Sequence, residues 1–296
     1  MPHNSLITFT KMHGLGNDYI YIDCMAGEVA DPAALAVEMS DRHTGVGGDG
    51  IILILPSEVA DFRMRMFNAD GSEGKMCGNA SRCIAKYVYE AGLTDKAIIT
   101  LDTLSGVKTL SMDIRQGRVE AVTVDMGMPQ IDAAAVPVLT DKPSLVGEPV
   151  MTSAGEVTLT AVSMGNPHGV TFLADPDSAD VHGLGRELEC HPMWPDRANI
   201  EFAAVTDPTH IRMRVWERGS GETRACGTGA CATVVAAVLA GLTEREVTVS
   251  LPGGDLEIEW GDDGHVYMKG PAETVFTGQY RRRGTPGSQA AHPDPS

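Results

Sequence analysis

The sequence predicts an α+β protein of two pseudo-symmetric halves, each a mixed, mainly antiparallel sheet wrapped around a central helix. Three observations predict it. A block of sequence recurs without a gap after 149 positions, as from Arg63 to Arg212. Each copy runs from a strand-like stretch through a glycine-bearing loop into a helix-like run. The composition, 43% hydrophobic and 21% charged over 296 residues, is that of an ordinary globular chain long enough for one large or two smaller cores.

The repeat is read from its rare residues. Arg63-Met64-Arg65 returns as Arg212-Met213-Arg214. In the same register Glu73 falls on Glu222, Cys77-Gly78 on Cys226-Gly227, Ala91-Gly92-Leu93-Thr94 on Ala240-Gly241-Leu242-Thr243, and Gly16-Asn17 on Gly165-Asn166. Coincidence of common small residues would not also align Cys with Cys, Met with Met and Asn with Asn. The period is far too long for a solenoid. The halves are expected at residues 1–125 and 126–271, with residues 284–296, rich in Gly, Pro, Ser and Ala, forming a disordered tail.

Residues 62–67 and 211–216 read as strands. Residues 84–91 and 233–240 read as helices, each ending at a glycine suited to the residue after a helix C-cap, Gly92 or Gly241. The second helix is apolar nearly all round and is expected to be buried. Alternation over residues 246–251 and 256–260 indicates further strands.

The net charge is −17. It disfavours nucleic acid and anionic membrane surfaces, and leaves a zwitterionic substrate compatible. No apolar run is long enough to span a bilayer. The N-terminus lacks the charged flank, apolar core and cleavage site of a secretory signal. A cytoplasmic protein with reduced cysteines is therefore expected. No metal-ligand spacing of Cys and His occurs, nor a phosphate-binding loop or dinucleotide fingerprint.

Each repeated cysteine directly precedes its helix. A helix N-terminus carries partial positive charge and free N–H groups. That is expected to lower a thiol's pKa and to bind a carboxylate. Two such helices converging on one carboxylate would place Cys77 and Cys226 on opposite faces of the adjacent carbon. One thiolate would remove the Cα proton and the other thiol would return one to the opposite face. The pair must hold opposite protonation states. Both helix N-termini would stabilise the carbanion. No lysine sits in a Schiff-base context, so no pyridoxal phosphate or other cofactor is expected. Cys24, Cys83, Cys190 and Cys231 read as small core residues.

Met76-Cys77-Gly78-Asn79 and Ala225-Cys226-Gly227-Thr228-Gly229 closely resemble the motifs of the diaminopimelate epimerases. The resemblance runs from His13-Gly14-Leu15-Gly16-Asn17-Asp18 to about Tyr280. It includes Asn68-Ala69-Asp70-Gly71-Ser72-Glu73 and Glu217-Arg218-Gly219-Ser220-Gly221-Glu222-Thr223. That family interconverts LL- and meso-diaminopimelate, on the route to lysine and peptidoglycan. The resemblance implies that Cys77 and Cys226 are the proton-transfer pair. It implies that the amides of Gly78, Asn79, Gly227 and Thr228 hold the reacting carboxylate. Asn17, Asn68, Asn166, Asn199, Glu217 and Arg218 would line the rest of the site. His168 and Glu217 would support the thiols. It also implies a homodimer, and a last strand within residues 272–283 that returns to the first half. Two departures stand out. Gly50 replaces a glutamine found in many relatives, and Ala80 replaces a glycine usual after Cys-Gly-Asn, for which a small loop change is expected. Two other readings compete. A proline racemase-like enzyme would carry histidine where this chain has Asn79. A redox or binding protein could use the two cysteines as a dithiol.

Overall fold

The computed structural model describes residues 6–282; the tail expected at 284–296 lies outside the described residues. The elements of the first part are β1 (Leu6–Gly14), β2 (Asn17–Asp23), α1 (Pro32–Ser40), β3 (Gly50–Leu55), β4 (Phe62–Asn68), β5 (Glu73–Gly74), α2 (Gly78–Glu90), β6 (Ile98–Thr103), β7 (Gly106–Arg115) and β8 (Arg118–Gly127). There follow β9 (Glu148–Thr152), β10 (Gly155–Ser163), β11 (Pro167–Phe172), α3 (Val181–Glu189), β12 (Asn199–Asp207), β13 (His210–Glu217), β14 (Gly221–Thr223), α4 (Gly227–Leu239), β15 (Glu246–Leu251), β16 (Gly254–Trp260), β17 (Val266–Gly270) and β18 (Glu273–Arg281). The 149-residue shift carries β1, α1 and α2 onto the bounds of β10, α3 and α4 without offset.

The sheet is mixed and mainly antiparallel. β1 through β4 pair in order, then β6, β7 and β8, with β2–β3 and β4–β6 parallel. The order repeats in β10 through β13, β15, β16 and β17, with β11–β12 and β13–β15 parallel. β8 pairs antiparallel with β17 and joins the two ladders. β9 covers the outer edge of β10, and β18 covers that of β1.

β3 shows how local sequence drives layering. Its six residues, GIILIL, are all buried, as expected of a strand covered on both faces. Ile51, Leu53 and Leu55 pack with Leu35, Ala36 and Met39 of α1. Ile52 and Ile54 pack with Ala80, Ile84 and Val88 of α2. The alternation follows from successive side chains pointing to opposite faces. β12 repeats the scheme, with Ile200 and Phe202 toward Val181 and Leu188 of α3, and Ala203 in the cluster that holds α4. Both helices stop where expected. Gly92 and Gly241 take φ of 72° and 69° one residue after the C-caps Ala91 and Ala240, a conformation open to glycine at little cost.

One placement differs from expectation. Cys24, Cys83 and Cys231 are buried, but Cys190 is exposed at the C-cap of α3. All six cysteines are free. Among the described residues no helix is long and apolar enough to cross a membrane.

Ile84 is fully buried in the inner cluster. Ile84→Ala is expected to lower unfolding free energy by about 2–5 kcal/mol, measured by denaturant titration. A loss below about 1 kcal/mol would show that the α2–sheet contact is not tightly packed.

Candidate active site

The helices α2 and α4 both begin at cysteines. Cys77 and Cys226 are the N-caps, with extended backbones at φ −137° and −126°. The first helical residues, Gly78 and Gly227, meet the same side chain. A Cβ at Gly78 would lie 2.5 Å from Met268 Cε, and one at Gly227 2.8 Å from Met268 Sδ. A side chain at either position would have to displace the flexible end of Met268, the neighbour that both helix starts share. The first turns of both helices leave their amides without helical partners.

Around Cys77 the neighbours are amides. Its sulfur donates to Asn17 Oδ1 at 3.3 Å, and Asn79 Nδ2 donates to the same oxygen at 3.4 Å. Asn17 Nδ2 donates to Asp49 Oδ2 at 2.8 Å, and Arg42 bridges Asp49 and Asp18. Asp49 therefore orients the Asn17 amide with its oxygen toward the thiol. On the far side, fully buried Arg82 donates to Asn79 Oδ1 at 2.9 Å and to Pro271 O at 3.1 Å. Among the described residues Arg82 has no carboxylate partner.

Around Cys226 the neighbours are ionisable. Gly229 N donates to its sulfur at 3.4 Å, and Thr228 Oγ1 lies 3.5 Å away. Asn166 Nδ2 reaches Thr228 Oγ1 at 3.4 Å, and Asn166 Oδ1 lies 3.1 Å from His168 Nε2. His168 Nδ1 is 2.6 Å from Glu201 Oε1, both side chains being fully buried. Glu217 accepts a hydrogen bond from Thr223 Oγ1.

The family model described as diaminopimelate epimerase matches residues 9–131 and 160–275. The chain belongs to the diaminopimelate epimerase family. A diaminopimelate epimerase of Acetivibrio thermocellus is 53% identical over 272 residues, covering 92% of this chain and 97% of that protein. One from Methanococcus maripaludis is 51% identical over 272 residues, covering 92% and 98%. Among solved structures, a hydroxyproline epimerase from Agrobacterium vitis superposes with a TM-score of 0.68 at 15% identity, covering 95% of this chain and 93% of that one. A methylitaconate-delta-isomerase gives 0.67 at 14% identity, covering 99% and 100%. At these identities the two structures establish a shared fold.

Seen as a diaminopimelate epimerase, the chain holds its thiols differently from the expectation of lowered pKa. Burial pushes both thiols up. For Cys77, the amides of Ala80 and Asn79 and the charge of Arg82 oppose the rise, while Glu217 adds to it. Cys226 is raised well above the ordinary thiol value by burial and then by Glu217 and Glu201. The helix N-terminus acts in the expected direction, but desolvation of the charged form outweighs it. Glu217 is likewise raised, by burial first, against opposing effects of Thr223, His168 and the Cys226 thiol.

The other expected site residues divide. Asn199 is buried and fully engaged by backbone, Nδ2 donating to Pro167 O at 3.0 Å and Oδ1 accepting from Arg218 N at 2.9 Å. The Arg218 guanidinium is exposed and donates to Asp196 O. Asn68 donates to Ser72 Oγ. Gly50 pairs with Asn68 across β3 and β4 and with Tyr19 across β2 and β3. A Cβ there would sit 2.1 Å from Phe67 O and 2.9 Å from the Tyr19 ring. Ala80 lies inside the first turn of α2, not in a loop. Sequence reasoning missed Asp49, Arg82 and Glu201. The repeat carried no signal for Glu201, because the shift sets it on Ile52, nor for Asp49 and Arg82, which fall on Ala198 and Cys231.

Iodoacetamide labelling of the substrate-free protein, followed by peptide mapping, tests the thiol environment. Only the thiolate reacts, so a raised pKa moves labelling to higher pH. Both midpoints are expected above the value of about 8.5 for free cysteine, with that of Cys226 above that of Cys77. Labelling complete at neutral pH would show that the helix N-termini outweigh burial.

Proposed function

We propose that this protein interconverts LL- and meso-diaminopimelate by a cofactor-independent two-base mechanism, in supply of lysine and peptidoglycan precursors. The observation that carries the reading is the pair of N-cap cysteines at equivalent positions of two helices whose first residues meet at Met268.

One cysteine, as thiolate, takes the Cα proton. The electron pair left on Cα is stabilised toward the carboxylate, which the amides of Gly78, Asn79, Gly227 and Thr228 hold. The other cysteine, as thiol, delivers its proton to the opposite face and becomes the thiolate. After one turnover the two have exchanged states. Burial that raises a thiol's pKa also makes its thiolate a stronger base, which suits removal of a weakly acidic Cα proton. Asn17, Asn68, Asn166, Asn199, Glu217 and Arg218 bind the remainder of the substrate, with His168 and Glu217 supporting the thiols. Closure on substrate would turn the exposed Arg218 guanidinium inward. Each half's sheet wraps its own helix, α2 or α4, as a central core. The reading includes a cytoplasmic homodimer, consistent with six free cysteines and with Val275 and Phe276 exposed on β18. A proline racemase-like activity is disfavoured by Asn79 at the histidine position. A dithiol function is disfavoured by the carboxylate-ready amides beside each sulfur.

Cys77→Ala and Cys226→Ala are each expected to reduce turnover about 100- to 10,000-fold, with KM little changed because the thiols act in the transition state. A single variant retaining more than a tenth of turnover sinks the two-base scheme. Deuterium from heavy water should enter meso-diaminopimelate at Cα and should not enter proline; no incorporation would favour a dithiol role. Arg218→Ala is expected to raise KM roughly 10- to 100-fold by removing a charge-assisted contact, read from steady-state kinetics.

A further inference from the structure

We propose that Glu201 is a positioning residue of the epimerase: it fixes the His168 ring with Nδ1–H bound to the carboxylate and Nε2 turned toward the Cys226 side of the site. The catalytic part of this inference rests on the epimerase reading above; the ring geometry does not.

His168 and Glu201 lie on adjacent parallel strands, β11 and β12. Both are fully buried, and Nδ1 lies 2.6 Å from Glu201 Oε1. A carboxylate only accepts, so this pairing places a proton on Nδ1. Nε2 lies 3.1 Å from Asn166 Oδ1. Asn166 Nδ2 is engaged by Thr228 Oγ1, which stands 3.5 Å from Cys226 Sγ. The amide oxygen faces Nε2, so this nitrogen is directed along the Asn166–Thr228 contact toward Cys226. A buried carboxylate without a hydrogen-bond donor would be strongly disfavoured. Its second oxygen, Oε2, has no hydrogen-bond partner among the described residues, so His168 is its main support.

A second observation shows that the fold makes room for this carboxylate. A Cβ at Gly229 would lie 2.7 Å from Glu201 Oε1. At the equivalent place in the first half stand Ala80 and Ile52, both in the apolar cluster, and Tyr19 stands where the second half has His168. The glycine after Cys226-Gly227-Thr228 therefore admits the Glu201 oxygen, and only one half carries the histidine–carboxylate pair. Holding a histidine tautomer through a buried carboxylate is the recurrent way an imidazole is aimed at a reacting group. The other titratable groups within electrostatic reach of Glu201 are Glu217 at the end of β13 and Cys226 at the start of α4.

The test is nitrogen-15 NMR of histidine-labelled full-length protein, with the His168 signals assigned by their loss in His168→Gln. The wild type should show Nδ1 protonated, with an exchange-protected, far-downfield proton. Glu201→Gln keeps an acceptor of the same size and removes the charge. It should move that proton upfield, because a neutral acceptor makes a weaker hydrogen bond than a carboxylate. Turnover should fall about 10-fold or more with KM little changed, the pattern of a group that acts through the reacting thiol. Thermal melting, followed alongside, separates this from loss of fold. An unprotonated Nδ1 in the wild type overturns the proposal by itself, even where Glu201→Gln does not fold. A protonated Nδ1 with unchanged kcat in a folded Glu201→Gln variant overturns the catalytic positioning. If the protein does not epimerise diaminopimelate, the spectrum still decides the geometry, so the two failures are distinguishable.

Discussion

The arrangement depends on how closely two helix N-termini approach. α2 and α4 start at glycines, and both glycines back onto Met268. A larger residue there would have to displace the end of Met268. Both helices begin with amides free of helical partners, and a cysteine stands as the N-cap of each. The continuous ladder through β8 and β17 fixes the relative placement of the halves that carry the two helices.

That approach buries Cys226 and half-buries Cys77, and burial has two consequences. It costs the thiolate its solvation, so both cysteines resist ionisation despite the helix ends that favour it. It also strengthens the interaction of each buried dipole with any charge beside it, because less solvent screens it. Ground-state reluctance and catalytic basicity are two sides of the same desolvation.

The halves share elements and differ in chemistry. The shift that superposes α2 on α4 pairs Tyr19 with His168, Ile52 with Glu201, and Asn68 with Glu217. The first half thus surrounds Cys77 with neutral amides and one buried guanidinium, and the second surrounds Cys226 with carboxylates and an imidazole. A two-base enzyme needs its thiols in opposite protonation states, and unequal surroundings supply a bias that perfect symmetry would not.

The sequence by itself determined the duplication, the two helices and their glycine stops, the cysteines at the helix starts, and the family. These are local or periodic properties, carried by residues that match across 149 positions. It also marked Asn17 and Asn166, which reach the equivalent helix residues Asn79 and Thr228, though only Asn17 accepts from its cysteine. What only the tertiary structure decided concerns burial and unlike partners. Helix position alone argued for acidic thiols, but the extent of desolvation depends on how two halves close over the site. Asp49 and Glu201 escaped notice because each acts on a neighbouring strand's side chain, and strand pairing across 32 or 33 residues is not written in local pattern. Cys190 looked like a core residue by type and proved exposed, because the C-cap of α3 faces outward. Residue type and periodicity set the framework; distance, register and exclusion of water set which groups in it are charged.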